Sequence, residues 1–504
     1  MTFLCALTTG SLPSLHERSV SHALTAEEAQ ATPLGQAIAP LVAAHPGKSG
    51  IHALAHPHDA FAARMMLARA AERSLDVQYY IWHDDMTGTM LLEALHDAAD
   101  RGVRVRLLLD DNGTSGLDQT LSALDGHPNI DVRLYNPFAV RWPKPLGYLT
   151  DFSRLNRRMH NKSFTADNQA TIVGGRNIGD EYFGATHGVL FTDLDVLAIG
   201  AAVGDVSADF DRYWSSDSAY PVSGLLKKAA SNELDELEAD AATVERSPEA
   251  AAYAQAMREL PFIRQLLRGE LPMEWTQTRM VSDDPRKTLG TAPREAMLPH
   301  QLQDILGVPA KALVLVSPYF VPTAAGTRAF ANMARNGVKV RVLTNALEAT
   351  DVAVVHSGYA KRRKDLLAAG VELYEMKRMA QPVERNRGLG PFGSSGSSLH
   401  AKTFAVDGER VFVGSFNFDP RSARLNTELG FVINSPTLAR HIEDTFDDEL
   451  ARTAYRVRID EMGKLYWLDT RDGQTVRHDR EPGATLWQRL TVWIASRLPL
   501  EPLL

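Results

Sequence analysis

The sequence predicts an α/β fold in which one domain-sized unit occurs twice, and three observations lead to this class. Strand-like and helix-like segments alternate along the chain, as they do in parallel α/β units. The same strand–helix–strand order returns 235 residues later, counted from Gly102 to Gly337. A His-x-Lys-x4-Asp motif also occurs once in each copy. Copies of this length indicate a duplicated domain rather than a solenoid, whose repeats span about 20–50 residues.

The elements of the first copy follow from local patterns. Apolar residues recur at helical spacing in Ala60–Ala70, alternate as in a strand in Ser74–Trp82, and recur at helical spacing again in Met90–Ala99. A glycine ends this helix and leads into the strand Gly102–Leu109. This part of the chain therefore predicts a helix–strand–helix–strand unit.

The second copy repeats that order. Ala312–Phe320 predicts a strand, Thr327–Arg335 a helix and Gly337–Leu343 a second strand. The two glycine-led strands read Gly-Val-Arg-Val-Arg-Leu-Leu and Gly-Val-Lys-Val-Arg-Val-Leu. We therefore expect five regions: an N-terminal leader with one helix (1–50), a first half (51–220), a helical connector (221–300), a second half (301–455), and a C-terminal hairpin and apolar helix (456–504).

Composition and charge narrow the class of protein. With 504 residues, 44% of them hydrophobic, the chain is long enough for two to four globular domains. The single Cys5 excludes a disulfide scaffold, and no run of 18 apolar residues predicts a membrane span. The net charge of −8 argues against general nucleic-acid binding. The first 13 residues lack a positive n-region, so we expect no working export signal in the chain as given.

The C-terminal region carries a hairpin signal, Asp472-Gly473, followed by an apolar helix and tail with Arg489 and Arg497. Such a helix either packs on the core or lies on a membrane surface, because Trp and Leu beside Arg suit an interface. Both interpretations remain open from the sequence.

The candidate chemistry lies in the two motifs. His160, Lys162 and Asp167 form the first, and His400, Lys402 and Asp407 the second. Seventeen residues after each His stands an Asn, in Gly174-Gly175-Arg176-Asn177 and in Gly414-Ser415-Phe416-Asn417. Two copies at identical offsets are not plausibly accidental. Strand alternation puts the His and Lys of each copy on one face, and the glycines allow close backbone approach to a ligand.

Two such halves facing each other give one site with two His, two Lys and two Asn, which suits a phosphodiester. The lysines neutralise phosphate oxygens, one His attacks phosphorus, and the other protonates the leaving alcohol. We expect no metal and no cofactor, because lysine beside each His repels a cation. A metal site remains the alternative that the His and Asp content offers.

The paired motifs resemble those of the phospholipase D superfamily over residues 51–455. Three strings are similar to bacterial cardiolipin synthases, in particular the phosphatidylethanolamine-using branch: residues 72–82, 175–183 and 416–422. The resemblance implies two phospholipase D-like α/β/α sandwich halves with one active site at their interface. It also implies phosphatidyl transfer through a phospho-His, with His160 as nucleophile and His400 as acid and base.

The resemblance further implies a carboxylate behind each His, on the strand after the Asn. Aligning the apolar strands pairs Asp193 with Glu428, with Asp195 as the alternative to Asp193. Gly175, Asn177, Ser415 and Asn417 are expected to support phosphate binding. Asp167 and Asp407 are more consistent with fixing the turn than with touching phosphate.

Two basic stretches precede the motifs, one between Arg141 and Lys162 and one between Lys377 and Lys402. They either attract an anionic substrate or are solvated loop charges. Apolar residues interleave with them, which predicts a lipid-facing rim: Trp142, Pro145, Leu146, Tyr148, Leu149, Phe152, Met379, Leu389 and Phe392. Gly388–Ser398 predicts either a flexible lid or a linker.

These observations predict a membrane-peripheral enzyme that makes cardiolipin from phosphatidylglycerol and a second phospholipid, on the bacterial inner membrane according to the resemblance. Hydrolysis to phosphatidic acid and head-group exchange with free ethanolamine use the same residues, and water exclusion decides between them. A nucleic-acid phosphodiesterase and a non-enzymatic lipid-binding protein are the competing interpretations. We expect phospholipids and a membrane surface as partners and no nucleic acid. The sequence does not identify an accessory protein, the membrane side or the acceptor alcohol.

Overall fold

The computed structural model of the chain describes residues 12–16, 18–185, 190–230, 232–350, 352–378, 397–448, 450–471, 473–499, 501 and 504. The sequence predictions that fall wholly or partly outside these residues are the leader around Cys5, Asp472 of the hairpin turn, most of the lid 388–398, the second basic stretch at Arg385 and Arg387, and the rim residues Met379, Leu389 and Phe392.

The first half begins with two short helices and continues as an α/β unit. Its elements are α1 (Ala26–Gln30), α2 (Pro33–Ala43), β1 (Ser49–Leu54), α3 (Pro57–Ala70), β2 (Ser74–Tyr79), α4 (Met86–Asp100), β3 (Arg104–Asp110), α5 (Asp118–Leu124), β4 (Ile130–Tyr135), α6 (Gly147–Leu155), β5 (Ser163–Ala166), β6 (Ala170–Gly174), α7 (Asp180–Phe183), β7 (Leu190–Thr192), β8 (Asp195–Gly200), α8 (Ala201–Trp214) and β9 (Ala219–Pro221). The predicted N-terminal helix is thus two helices, because Thr32 ends one and caps the next by accepting from the backbone N–H of Gly35.

The described residues of the connector hold three complete α-helices and two strands, besides short 3-10 turns. They are α9 (Glu233–Glu245), α10 (Pro248–Arg258), α11 (Pro261–Leu267), β10 (Glu274–Thr276) and β11 (Thr278–Ser282). β10 pairs with β1, whereas β11 belongs to the sheet of the second half. The chain therefore crosses from one half to the other at Gln277. The connector differs here from the wholly helical one expected, because each strand completes a sheet edge.

The second half repeats the α/β unit and adds a hairpin and a helix. Its elements are α12 (Leu298–Leu306), β12 (Ala312–Val316), α13 (Thr323–Arg335), β13 (Lys339–Asn345), α14 (Ala353–Ala360), α15 (Arg363–Ala368), β14 (Glu372–Met376), β15 (Ser397–Leu399), β16 (Thr403–Val406), β17 (Arg410–Gly414), α16 (Pro420–Arg424), β18 (Leu429–Ile433), α17 (Pro436–Asp448), α18 (Leu450–Thr453), β19 (Ala454–Ile459), β20 (Leu465–Arg471), β21 (Gln474–His478) and α19 (Leu486–Ala495).

The strand orders of the two sheets demonstrate the duplication. The first sheet runs β10-β1-β8-β6-β5-β2-β3-β4-β9, and the second runs β11-β18-β17-β16-β12-β13-β14-β19-β20-β21. β2, β3 and β4 are parallel, as are β12, β13 and β14, whereas β5 and β16 pair antiparallel with the first strand of each set. The predicted α/β class with two equivalent halves is confirmed.

Helices cover both faces of each sheet, and the halves share one apolar core. In the first half, α3 and α4 contact one face, and α8 contacts β2, β5, β6 and β8. β6 and β8 also contact β17 of the second half. One cluster of buried residues includes Val173 and Val196 from the first half and Val413 and Phe431 from the second. This packing joins the halves along the strands that lead to both motifs.

The C-terminal helix α19 is only partly packed on the core. Val492 is buried in a small cluster with Leu347 and Ala484, whereas 77% of Trp487 and 56% of Trp493 are exposed. The helix therefore combines a packed edge with an exposed aromatic surface. Among the described residues, no helix has the length and apolar character that crossing a membrane requires.

Candidate active site

The two motif histidines lie at the interface of the halves, and each is held by backbone hydrogen bonds to the opposite half. The N–H of His160 donates to the carbonyl of Thr427 (2.9 Å), and the N–H of His400 donates to the carbonyl of Thr192 (2.8 Å). Each His lies in an extended segment just before its strand, since β5 begins at Ser163 and β16 at Thr403. The histidines are thus positioned by cross-half pairing rather than by the hairpin strand that the alternation predicted.

Each imidazole binds a buried carboxylate from the other half. Nδ1 of His160 lies 2.7 Å from Oε2 of Glu428, and Nδ1 of His400 lies 2.6 Å from Oδ2 of Asp193. Each carboxylate directly follows the threonine that binds the histidine backbone. An Nδ1–H that donates to a carboxylate fixes the tautomer and leaves Nε2 as the basic nitrogen. The resemblance had implied a carboxylate behind each His, and the structure shows that the two carboxylates are exchanged between the halves.

Asp195, the alternative to Asp193, has a different set of contacts. Its Oδ2 accepts from the guanidinium of Arg64 at 2.8 Å and lies 3.4 Å from that of Arg176. These side chains are all buried, so a paired charge is required there. Asp195 therefore stabilises the first half, whereas Asp193 contacts the imidazole.

The small residues of the Gly-[Gly/Ser]-x-Asn runs make room for the carboxylates. A β-carbon at Gly175 would lie 2.1 Å from Oδ1 of Asp193, and one at Gly174 would lie 2.1 Å from Oδ1 of Asp195. In the second half, Ser415 donates to Oε2 of Glu428 at 2.5 Å. The glycines were expected to let a ligand come close to the backbone, but the neighbouring strand and its carboxylate lie there instead. Gly175 and Ser415 therefore support the carboxylates.

The two lysines are buried beside the histidines. Nζ of Lys162 donates to the carbonyl of His160 at 2.7 Å, and Nζ of Lys402 donates to the carbonyl of His400. Lys402 Nζ also lies 2.7 and 3.1 Å from the two ring nitrogens of His400. Burial, and next the charge of Lys402, lower the pKa of Lys162 well below its ordinary value, although Glu428 opposes this. A desolvated pair of lysines whose charges repel each other is suited to an anion, which would raise the pKa of Lys162 again.

Burial and the nearby lysines lower the pKa of both motif histidines. Burial, together with the charges of Lys162, Lys402 and His400, lowers the pKa of His160 well below its ordinary value. Burial and Lys402 lower the pKa of His400 to about 4, and Asp193 opposes this shift. Both imidazoles are therefore neutral near pH 7 without an anion. A bound phosphodiester adds negative charge and raises the pKa of both.

The two carboxylates differ more strongly. Burial by itself would raise the pKa of Asp193, but the charges of Lys402 and His400 hold it well below its ordinary value. Burial raises the pKa of Glu428 to about 7, and Lys162 only partly opposes this. Asp193 is thus ionised throughout the physiological range, whereas Glu428 titrates within it.

The asparagines and two tyrosines complete the site. The side chain of Asn177 accepts from the N–H of Ile81 (3.2 Å) and donates to the hydroxyl of Tyr182 (3.0 Å). Asn417 is buried, and its Oδ1 has no hydrogen-bond partner among the described residues. The ring of Tyr182 meets His400 edge-on, and the ring of Tyr80 meets His160 in the same way. Asn177 therefore orders the first half, whereas Asn417 keeps a buried polar atom for a further contact.

Asp167 and Asp407 lie at the turns after the motif strands and serve the backbone. Asp167 accepts from the N–H groups of Glu72, Arg73 and Ser74, and Asp407 does the same for residues 310–312. Both have positive φ, at 50° and 55°. The carboxylates of both aspartates are thus engaged in fixing the turns, away from the imidazoles and ammonium groups of the site.

The first basic stretch is largely paired with protein carboxylates. Arg141 and Lys144 bind Asp111, and the buried Arg158 binds Asp110. The rim residues beside them are exposed, with 89% of Trp142 and 83% of Leu149 accessible. Arg141, Lys144 and Arg158 of this stretch therefore hold loops in place, while its exposed apolar residues face outward. Arg385 and Arg387 of the second stretch lie outside the described residues.

Two groups among the described residues have the spacing of metal ligands, and neither includes a motif histidine. They are His96 with Asp100 and His127, and His83 with Asp85 and Glu181. His83 binds Glu181 at 3.1 Å, and His127 binds Asp100 at 3.1 Å, so each group is internally paired. The chemistry of the site itself rests on imidazole, ammonium and amide groups.

Sequence reasoning missed the threonines and tyrosines that hold the histidines. One signal was present: Thr192-Asp193-Leu194 and Thr427-Glu428-Leu429 are matching tripeptides, each just before or at the start of an equivalent strand. This repeat would have selected Asp193 over Asp195. The second half has no tyrosine at the positions that match Tyr80 and Tyr182, so the repeat carried no signal for them.

Comparisons with known proteins agree with this architecture. The family model described as "Cardiolipin synthase, PLD-like domain" matches residues 65–214 and 304–450. Cardiolipin synthase C of Escherichia coli K12 is 52% identical over 94% of this chain and 99% of the relative. A cardiolipin synthase of Clostridium perfringens is 26% identical over 75% of this chain and 66% of the relative. The crystal structure of Haemophilus influenzae phosphatidylserine synthase covers 84% of this chain and 92% of its own, with a TM-score of 0.53 and 13% identity, and shows the same fold.

Proposed function

The chain belongs to the cardiolipin synthase family of phospholipase D-like proteins, and we propose that it joins two phospholipids into cardiolipin through a covalent phospho-His160. It is a phospholipase D-type phosphatidyltransferase, and phospholipids are its substrate class. The observation that carries the mechanism is the pair of cross-half His–carboxylate contacts beside two buried lysines.

In the first step, Nε2 of His160 attacks phosphorus of the donor lipid. The bond from phosphorus to the head-group oxygen breaks, and Nε2–H of His400 supplies the proton that this oxygen takes up. Lys162 and Lys402 neutralise the non-bridging oxygens as charge builds on them. The products of this half-reaction are the free head-group alcohol and phosphatidyl-His160.

In the second step, His400 acts as the base. Its Nε2 removes the proton from a hydroxyl of the phosphatidylglycerol head group, and that oxygen attacks phosphorus. The phosphorus–nitrogen bond to His160 breaks, which restores the free imidazole and gives His400 its proton back. Ionised Asp193 stabilises the imidazolium form of His400 in both steps.

The proton affinities support the assignment of His160 as nucleophile. A nucleophile must be neutral, and the pKa of His160 lies well below its ordinary value. An acid must be able to carry a proton, and His400 has the ionised partner, Asp193, whereas the partner of His160 has a raised pKa. This difference favours His400 as acid and base, as the resemblance implied.

We propose phosphatidylethanolamine as the phosphatidyl donor and phosphatidylglycerol as the acceptor. The test uses vesicles in which the two lipids carry acyl chains of different mass, with product masses read by mass spectrometry beside His400→Ala. Mixed-chain cardiolipin that forms only when both lipids are present supports the proposal. Cardiolipin with phosphatidylglycerol chains alone would identify phosphatidylglycerol as donor, and phosphatidic acid alone would make the protein a hydrolase. No lipid product, together with cleavage of DNA or RNA, would overturn the function.

We propose that the protein works on the surface of the bacterial inner membrane through two exposed aromatic surfaces. One is the rim 141–155 with Trp142 and Leu149, and the other is α19 with Trp487 and Trp493. Arg421 contacts both the residue that follows the rim and the last residue of the chain. Its guanidinium donates to Asn156 at 2.7 Å, and its N–H donates to Leu504 at 2.8 Å.

Vesicle co-sedimentation tests this surface. Replacing Trp487 and Trp493 together by Ser should weaken binding to phosphatidylglycerol vesicles about tenfold, because two interfacial rings are lost. Met462→Ser removes an equally exposed apolar side chain from the β19–β20 turn and serves as control. Equal binding by all three proteins would exclude α19 from the membrane contact.

A further inference from the structure

A large apolar cavity lies on the outer face of the second sheet, outside the His–Lys site. Its volume is about 890 Å³, and it lies between α12 and α13 over the strands β12 and β16. Leu302, Leu306, Leu315, Phe330, Phe404 and Phe418 line it. Pockets that take a drug-sized ligand have volumes of about 300–1,000 Å³ and similarly apolar walls.

The equivalent face of the first half is filled. Phe183 lies 23 residues after His160, and the residue 23 after His400 is Ala423, which lines the cavity. Phe183 is buried against Phe61 of α3, with ring centroids 5.3 Å apart. Phe164 is fully buried, whereas its counterpart Phe404 is only partly buried. The duplication therefore provides an internal reference in which aromatic side chains occupy this region.

The positions of the covering helices explain the difference. α3 has 14 residues and contacts both α4 and β5, whereas α12 has 9 residues and contacts β11 and β18. α12 thus lies toward the sheet edge, and Phe404 and Val406 of β16 line the cavity beside it. Apolar surface left open in this way costs free energy in water, which favours an apolar occupant.

The cavity reaches the strand ends that form the His–Lys site. Phe416 and Phe418 line it, while Asn417 between them carries the unpartnered Oδ1. Val321 at the same end donates from its N–H to the carbonyl of Phe418 at 2.8 Å. Asp419 lines the cavity, and its charge interacts with Glu428, the carboxylate bound to His160. At the other end, Val308 is 78% exposed, so the cavity also opens to solvent there.

We propose that this cavity holds one acyl chain of the phospholipid whose phosphate is bound between Lys162 and Lys402. The inference rests on the proposed function, since a phospholipid joins an anionic head to long apolar chains. The lysines match the phosphate of such a molecule, and the apolar cavity, whose wall includes Phe416 and Phe418 on either side of Asn417, matches an acyl chain. The chain would run from Phe418 along β16 toward Val308.

Gly326→Leu tests the proposal by narrowing the cavity. A β-carbon at Gly326 would meet Pro322 at 3.4 Å and Phe418 at 3.6 Å, which are ordinary contacts on the cavity side of α13. We expect kcat/KM for lipids with 16-carbon chains to fall about tenfold, because several buried methylenes lose their contacts. Activity on dihexanoyl lipids should change much less. Ala423→Phe copies the side chain of the first half and should act in the same direction.

Gly204→Leu is the matched control. Gly204 lies in α8, and a β-carbon there would have no neighbour within 4 Å. This variant should leave the ratio of long-chain to short-chain activity unchanged. Equal losses on long and short chains in Gly326→Leu would overturn the proposal, since they would indicate a structural defect rather than a chain site.

Photo-crosslinking decides the question independently of turnover. Phosphatidylglycerol with a diazirine near the end of one acyl chain is irradiated with the full-length protein, and labelled peptides are mapped by mass spectrometry. Label within α12, α13 or 416–424 that decreases in Gly326→Leu supports the proposal. Label confined to other regions would overturn it. A protein that is labelled here but transfers no phosphatidyl group would refute the proposed function and keep the chain site.

Discussion

The two His–carboxylate pairs have the same backbone geometry, but the pKa values of their carboxylates shift in opposite directions. In each, a threonine carbonyl binds the histidine N–H, and the next residue binds Nδ1. Asp193 is nevertheless held ionised by Lys402 and His400, whereas burial raises the pKa of Glu428 to about 7. Duplication preserved the geometry, and neighbouring charges made the halves different.

Burial and the neighbouring charges explain this difference. Burial raises the pKa of Glu428, and the charges of Lys162 and Lys287 only partly oppose it. Asp193 has Arg176 close by instead. Groups whose surroundings push their pKa values apart can take different roles in acid–base chemistry. One half can therefore favour a neutral nucleophile while the other favours a proton carrier.

The histidine variants should have the largest effect on lipid transfer, and they test which histidine is the nucleophile. His160→Ala and His400→Ala should each lower lipid transfer about 10⁴-fold or more, because each removes a group that takes part in bond making. A phosphatidyl-p-nitrophenol substrate separates them, since its leaving group needs no acid. His400→Ala should release a burst of nitrophenol and accumulate phosphoprotein, whereas His160→Ala should do neither. The opposite pattern would reverse the assignment.

Neutralising each carboxylate sharpens the comparison. Asp193→Asn should lower kcat about 10³-fold, because an amide cannot stabilise the imidazolium of His400. Glu428→Gln should cost only about tenfold, since the pKa of Glu428 near 7 means that wild type already works with a partly neutral group. The pH profile of kcat should lose an ionisation near pH 7 in Glu428→Gln. In Ser422→Ala this ionisation should remain but move to higher pH, because the side chain of Ser422 lowers the pKa of Glu428. Similar losses in both carboxylate variants would mean that the two pairs are equivalent.

Much of this site follows from the sequence because repeated spacing reports local structure. The equal offsets of His, Lys and Asn marked both halves, and the structure brings His160, Lys162, His400 and Lys402 together. The exchange of Glu428 and Asp193 between halves is a tertiary contact across more than 200 residues, for which spacing carries no signal.

The remaining differences have the same physical origin. The backbone N–H of Glu428 donates to Asp283, which follows a connector strand that helical composition did not predict. The glycines before each Asn looked suited to a ligand, but their neighbours are carboxylates and backbone of the adjacent strand. Both cases depend on which segments meet in space, and a single sequence reports only what each segment favours locally.

Asp419 provides a smaller test, on stability rather than activity. The first half has Gly179 at this offset, whereas burial raises the pKa of Asp419 from 3.8 to about 7. Ionisation of Asp419 therefore opposes folding increasingly from about pH 4 to 7, by at most about 4 kcal/mol at pH 8. Asp419→Asn keeps an N-cap acceptor for Ser422, so its Tm should exceed that of wild type at pH 8 and much less so at pH 5. A Tm difference that does not vary with pH would refute this.

The turn aspartates should show the smallest effect and the least difference between the halves. Each carboxylate accepts from three backbone N–H groups at its turn, so Asp167→Asn and Asp407→Asn should keep kcat within about threefold. Each should lose about 1–2 kcal/mol of stability, with the larger loss at the fully buried Asp167.

The backbone contacts lower the pKa of Asp407, so its contribution to stability is present above the ordinary pKa and is lost as pH falls through the folded value. The Tm deficit of Asp407→Asn should therefore shrink below about pH 4. A loss of kcat comparable to that of the histidine variants would instead place these aspartates in the chemistry, and the division between catalytic and structural members of the motif would fail.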